Sequence, residues 1–177
     1  NFMKIGILTY FDGINYGAFA QVYALQSRLE ELGFSIEIIA YKDYKHKINE
    51  YKSLFFTINL KILINNLEKL RVFRGAQKKL NTTARLGRVK QVEEMKFDKI
   101  IIGSDEIWNF NNDLFGLNLI YFGKGISDNT NVLSYAASFG SVSEDELIPS
   151  EVARNISKLK AISVRDDNSF ELVSKFS

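Results

Sequence analysis

The sequence predicts an α/β fold, an open parallel sheet with flanking helices, and three observations predict it. Short β-branched apolar runs at Lys4–Thr9 (KIGILT) and Lys99–Ile102 (KIII) have the pattern of buried strands, and Ser35–Ala40 (SIEIIA) reads as a strand that alternates at first and is then apolar. Between the first two runs the apolar residues fall at helical spacing, so strand, helix and strand follow one another inside residues 4–40. Such a βαβ unit crosses over right-handed and implies a parallel sheet. The 177 residues, 46% apolar and 25% charged, suffice for one domain with a substantial core.

In the first unit, Phe19, Val22, Leu25, Gln26, Leu29 and Leu32 mark the helix, and Gly33 stands where a C-terminal cap glycine belongs. A loop with Gly13 and Gly17 leads into it. Ile58–Phe73 carries a second helical repeat with Lys and Arg between its apolar positions, and Gly75–Lys96 reads as loop and short helix. Residues 42–96 are therefore expected to form a basic helical insertion or cap between sheet strands. KIII restarts the sheet and stops at Gly103, and further strands are expected at Asn131–Ala136 (NVLSYA) and Ala161–Val164 (AISV). Ser143 and Glu146 have capping-box spacing, with Pro149 either in the early helix or breaking it. Asn168–Ser177 is amphipathic without a terminator and reads as a truncation, while Asn1–Phe2 ahead of Met3 reads as an appended remnant.

Composition excludes several functions. Without cysteine there is no disulfide, thiolate nucleophile or Cys-based zinc site, and one histidine, His46, cannot build a histidine-rich metal centre. No apolar run approaches the roughly 20 residues of a bilayer span, and no basic start leads into an apolar leader. A cytoplasmic domain is expected. The net charge of +2 is uneven: Lys42–Lys90 holds 13 Lys and Arg against three acids, leaving 10 basic against 18 acidic residues elsewhere. A solvated Lys-rich face is the commoner origin of such a block; the functional origin is contact with anionic membrane at its inner face, or with a phosphorylated glycan carrier. Its aromatics (Tyr44, Tyr51, Phe55, Phe56, Phe73) form no RNA-stacking motif, so nucleic acid is not an expected partner.

Four motifs sit at predicted strand C-termini, where open α/β sheets bind ligands. The loop Asp12–Ala18 could offer a helix start to a phosphate or sugar through Asn15, Tyr16, Gly17 and Ala18; glycine turns with Asp12 or Asn15 as a cap explain it equally well. Its spacing matches neither G-x-G-x-x-G nor a P-loop. In Gly103-Ser104-Asp105-Glu106-Ile107-Trp108-Asn109 the acids could act as general base, or Asp105 could simply cap a helix. Trp108 could stack on a sugar, although a lone tryptophan is more often core. The small-residue run Ser134–Gly140 brings backbones close to a ligand or only to a neighbouring helix. Arg165, after AISV, pairs with a bound carboxylate or phosphate, or with a nearby acid such as Asp166 or Asp167.

In order and spacing, Asn15-Tyr16-Gly17-Ala18 with Tyr23-Ala24-Leu25-Gln26, then Asp98–Asn109, Ser134–Gly140 and Ile162-Ser163-Val164-Arg165, resemble the polysaccharide pyruvyl transferase family. The resemblance implies a Rossmann-like domain spanning residues 3–177, the N-terminal half of a glycosyltransferase-B-like fold, with the C-terminal domain absent and this half inactive alone. It implies transfer of a pyruvyl group from phosphoenolpyruvate onto two hydroxyls of a surface-polysaccharide sugar or precursor, as a cyclic ketal with release of phosphate. Asp105, Glu106 and Asp12 are then acid/base candidates. The substrate-binding candidates are Asn15, Tyr16, Gly17, Ala18, Gly103, Ser104, Trp108, Asn109, Tyr135, Ser138, Phe139, Gly140 and Arg165. No cofactor or metal is expected; phosphoenolpyruvate is the donor substrate and a saccharide, free or lipid-linked, the acceptor. The competing reading is a non-catalytic carbohydrate- or nucleotide-binding module, since the fold does not fix the chemistry.

Overall fold

The sheet consists of four parallel strands, β1 (Lys4–Leu8), β2 (Ser35–Ile38), β3 (Lys99–Ile102) and β4 (Asn131–Ser134), in the order β2-β1-β3-β4. The computed structural model describes residues 3–12, 15–42, 60–113, 116–126 and 129–176. Ile5 of β1 lies opposite Ile36 on one side and Lys99 on the other, and Ile102 of β3 opposite Ser134. Isolated parallel bridges widen the sheet at both edges: Ile38 with Thr82 and Tyr41 with Leu86, then Leu133 with Ala161 and Ala137 with Val164. Numbered along the chain with these edge segments included, the order is 3-2-1-4-5-6. That is a doubly wound sheet whose strand order reverses between β1 and β3.

Side-chain alternation splits the core across the two faces. Ile5, Ile7, Val22, Ile36, Ile38, Leu80 and Ile101 fill one side, while Leu8, Ile39, Phe97, Ile100, Ile102 and the aromatic group around Trp108 fill the other. Gly6 is needed here: a Cβ would lie 2.6 Å from the Ile39 side chain and 3.2 Å from Phe97.

Helix α1 (Tyr16–Glu31) starts on Asn15, whose side chain accepts the Ala18 N–H at 3.1 Å. It ends as the glycine implied. Gly33 takes φ 86°, its N–H reaches the Glu30 carbonyl at 2.9 Å, and the Phe34 N–H reaches Leu29 at 3.1 Å, a Schellman pair. Gln26, the polar residue on the apolar stripe, is buried because its Oε1 accepts the Asn81 N–H at 3.0 Å. It thereby ties α1 to the segment beside β2.

Helix α2 (Leu60–Gln77) leads into that segment and α3 (Val89–Glu94) follows it. The expected insertion is corrected in part: residues 81–86 run along β2, with Ile38 N–H to Asn81 O at 2.7 Å and Leu86 N–H to Ala40 O at 2.9 Å. This stretch belongs to the sheet, and α2 is its crossover. Residues 43–59 of the expected insertion, with His46, Tyr44, Tyr51, Phe55 and Phe56, lie outside the described residues, as does Gly13.

A 3₁₀ turn (Leu119–Phe122) precedes β4, and α4 (Ser150–Ile156) and α5 (Asp167–Ser174) complete the layer. The Ser143 N–H does bond the Glu146 carboxylate at 2.8 Å, yet no helix starts there. Pro149, extended at ψ 133°, is the cap of a helix that begins at Ser150. AISV makes bridges at Ala161 and Val164 instead of a full strand. Among the described residues no helix is long and apolar enough to cross a membrane.

Candidate active site

The reversal between β1 and β3 brings two loops together. Thr9, buried at the end of β1, donates its hydroxyl to the Ser104 carbonyl at 2.9 Å. Gly103 leaves β3 at φ 109°, and a Cβ there would run into the Tyr135 carbonyl oxygen, so the β3 and β4 ends can approach closely only at a glycine. Beyond it the loop is zipped to the next one: Ser138 N–H to Asp105 O and Trp108 N–H to Ser138 O, both at 3.0 Å. Asp105 itself holds φ 95° and Ala136 φ 49°, left-handed conformations that side chains rarely adopt. Such strain concentrates at functional sites.

Three charged side chains meet on this rim. Arg165, fixed by its N–H to the Ala137 carbonyl at 3.3 Å, places Nη2 3.4 Å from Asp105 Oδ1 and 3.9 Å from Glu106 Oε1. Asp105 Oδ1 also accepts the Glu106 N–H at 2.9 Å. Glu106 Oε2 accepts from Asn109 Nδ2 at 3.1 Å, and Gly140 at φ 58° leaves room for both, since a Cβ would stand 2.6 Å from each atom. The side chains stay open to solvent, 32% for Arg165, 22% for Asp105 and 48% for Glu106, as a ligand site requires. Two carboxylates and one guanidinium can anchor an anion and move a proton beside it.

A second tier sets this geometry. Asp166 caps α5 by accepting the Ser169 N–H at 2.8 Å, and the fully buried Ser169 hydroxyl oxygen accepts the Phe139 N–H at 2.9 Å. Burial pushes the Asp166 carboxyl up, but hydrogen bonds with Ser138 and Ser169 and the Arg165 charge outweigh it and hold it below the usual carboxylate range. Sequence reasoning did not single out Thr9 or Ser169, and it placed Asp166 as no more than a partner for Arg165. The spacing Asp166-x-x-Ser169 ahead of an amphipathic stretch was the available signal.

The remaining candidates divide. Asn15 is occupied as the cap of α1 and Ala18 is buried, whereas Tyr16 and Gly17 remain exposed at the helix start, Tyr16 with its ring 4.6 Å from Phe73. Asp12 stands apart from the acid pair. It is bound to Lys42 at 2.7 Å beside a hollow of about 220 Å³ lined also by Tyr41 and Arg85. Trp108 is 0% exposed, its indole N–H donating to the Tyr121 carbonyl at 2.8 Å and its ring packed among Phe122 and Phe139. Phe139 is equally buried, and Ser104, Asn109 and Ser138 are nearly so. Tyr16 and Tyr135 are the exposed aromatics of the candidate set.

The family model described as polysaccharide pyruvyl transferase matches residues 15–176. No curated protein and no solved structure matches the chain.

Proposed function

The chain belongs to the polysaccharide pyruvyl transferase family, and from that premise we propose that the β1–β3 rim carries part of the site that moves a pyruvyl group from phosphoenolpyruvate to a saccharide. Membership implies a transferase with a pyruvyl donor and a saccharide acceptor. The observation that carries the reading is Arg165, from the edge beyond β4, reaching Asp105 and Glu106 in the loop that leaves β3.

The reaction needs few groups. A proton is added to the methylene carbon of the enol, making it a methyl group, and a sugar hydroxyl bonds to the neighbouring carbon as it gives up its own proton to a base. The bond from that carbon to the phosphate oxygen breaks, phosphate leaves, and a second hydroxyl closes the ketal as its proton departs. Glu106, the most exposed of the three charged groups, is suited to carry the proton. Asp105, engaged by the Glu106 N–H and near the guanidinium, positions Arg165, which receives the donor carboxylate or phosphate. Tyr16, Gly17 and Tyr135 are the exposed rim groups available to the acceptor.

The test is a titration of the full chain with phosphoenolpyruvate and with a galactoside, followed by amide resonances. Shifts concentrated on 103–109 and Arg165 with the donor support the reading. Saturable shifts that avoid the rim for both ligands overturn it.

A further inference from the structure

The other end of the sheet carries a second concave feature. A groove of about 720 Å³ lies beside Thr130 and Val132 at the start of β4, between the turn after the 3₁₀ segment and the end of α4. That is the N-terminal side of the strand, away from the rim. Among the described residues, Lys124, Arg154, Lys158 and Lys160 line it together with one acid, Glu151. Lys124 and Glu151 neutralise one another at 2.9 Å. Arg154 lies within electrostatic reach of the same Glu151 carboxylate, and neither it nor Lys158 nor Lys160 makes a side-chain hydrogen bond or ion pair with any described residue, so four cations against one acid face one hollow.

Local structure accounts for this only in part. Cations are favoured near a helix C-terminus, which explains Arg154 in the last turn of α4 and Lys158 just past it. That effect fades beyond one turn. Lys160 lies further on, with its N–H on the Val132 carbonyl at 2.8 Å, and Lys124 comes from the opposite wall. Like charges gathered around a concavity repel one another and raise the local potential, and a bound anion relieves both. The volume falls within the range of small-ligand sites.

We propose that this groove binds a phosphate-bearing anion, independently of the rim. The Arg154 fork suits two phosphate oxygens at once, and Lys158 and Lys160 add point charges around them. The phosphate could belong to a soluble compound or to a phospholipid headgroup, and the two sources are separable.

The full chain is titrated calorimetrically with inorganic pyrophosphate and, separately, sedimented with phosphatidylglycerol–phosphatidylcholine vesicles. A variant carrying Arg154→Gln, Lys158→Gln and Lys160→Gln is compared with one carrying Lys78→Gln, Lys79→Gln and Lys90→Gln. All six positions are exposed, so both variants retain the core, and both lose the same charge. Pyrophosphate affinity should fall by at least about tenfold in the groove variant and stay near wild type in the other. Vesicle binding without a pyrophosphate response, lost in the groove variant alone, assigns the same chemistry to a lipid headgroup. Absence of both interactions, wild-type binding by the groove variant, or equal weakening in both variants overturns the proposal.

Discussion

Replacing Arg165 by glutamine tests whether the rim arginine is there for chemistry or for the fold. Its guanidinium reaches its two carboxylates at 3.4 and 3.9 Å, and all three side chains are partly exposed. Pairs of this length and exposure contribute about 0–1 kcal/mol in total. The Arg165 backbone bond to Ala137, which holds the edge segment in place, survives the substitution. A loss of 1 kcal/mol in a chain of this size lowers Tm by about 2–4 °C. A contact that stabilises developing charge is worth more, about 3–4 kcal/mol or 10²–10³ in rate. The expected result is therefore a Tm within about 4 °C of wild type and, with both halves of the fold that the resemblance implies present, pyruvyl transfer reduced at least about 100-fold. Arg165→Lys should restore the charge but not the fork, and so recover only part of the rate. Calorimetry and release of phosphate from phosphoenolpyruvate read the two quantities. Near-normal transfer by the glutamine variant, or a loss of activity that merely follows a large fall in Tm, would refute the reasoning.

The second tier and the core predict different signatures. Asp166→Ala removes the cap of α5 and should cost about 0.5–2 kcal/mol in denaturant unfolding at neutral pH. Because Asp166 titrates below the ordinary carboxylate range when folded, its contribution is complete above the unfolded value near 3.9 and is lost as pH falls through the folded value. The gap between variant and wild type should accordingly narrow in strong acid. Trp108→Phe should lower stability by about 1–3 kcal/mol, through the lost indole N–H bond to the Tyr121 carbonyl and the lost ring volume. Acceptor-induced shifts should then be unchanged; a selective loss of acceptor affinity would return Trp108 to the binding surface.

The strands most plainly legible in the sequence are those buried on both faces. After their first lysine KIGIL and KIII carry no polar side chain because β1 and β3 are central, and Gly33 was legible because one conformation explains it. The edge beside β2 was not. Residues 81–86 read Asn-Thr-Thr-Ala-Arg-Leu, and only Thr83 and Leu86 of these are buried, so no apolar run announces them. AISV erred the other way, its residues suiting a strand while its position allows only two bridges. Among the candidates, position at strand ends singled out Asp105, Glu106 and Arg165, which the structure brings together. It could not tell an exposed aromatic from a buried one. Trp108 follows the rim acids directly in sequence, yet the 3₁₀ segment supplies a carbonyl for its indole and a ring to stack on. Ser169 escaped notice because its partner, Phe139, is 30 residues away.

Charge balance limits what the rim can hold. Asp105, Glu106 and Asp166 lie around Arg165, while Asp12, apart from them, is paired with Lys42. A donor bearing both a carboxylate and a phosphate brings two anionic groups to a place with one shared guanidinium. The exposed start of α1 at Tyr16 and Gly17 can offer N–H groups to one of them, but partial charges at a helix end are worth less than a second cation. Hydroxyls of a sugar meet no such penalty, since carboxylates accept hydrogen bonds from them directly. The described rim thus suits the acceptor better than the complete donor. In the paired titration the galactoside should saturate its shifts at lower concentration than phosphoenolpyruvate. The reverse order would mean that a further cation reaches the rim, and would place the complete donor site, not only its Arg165 contact, on this sheet.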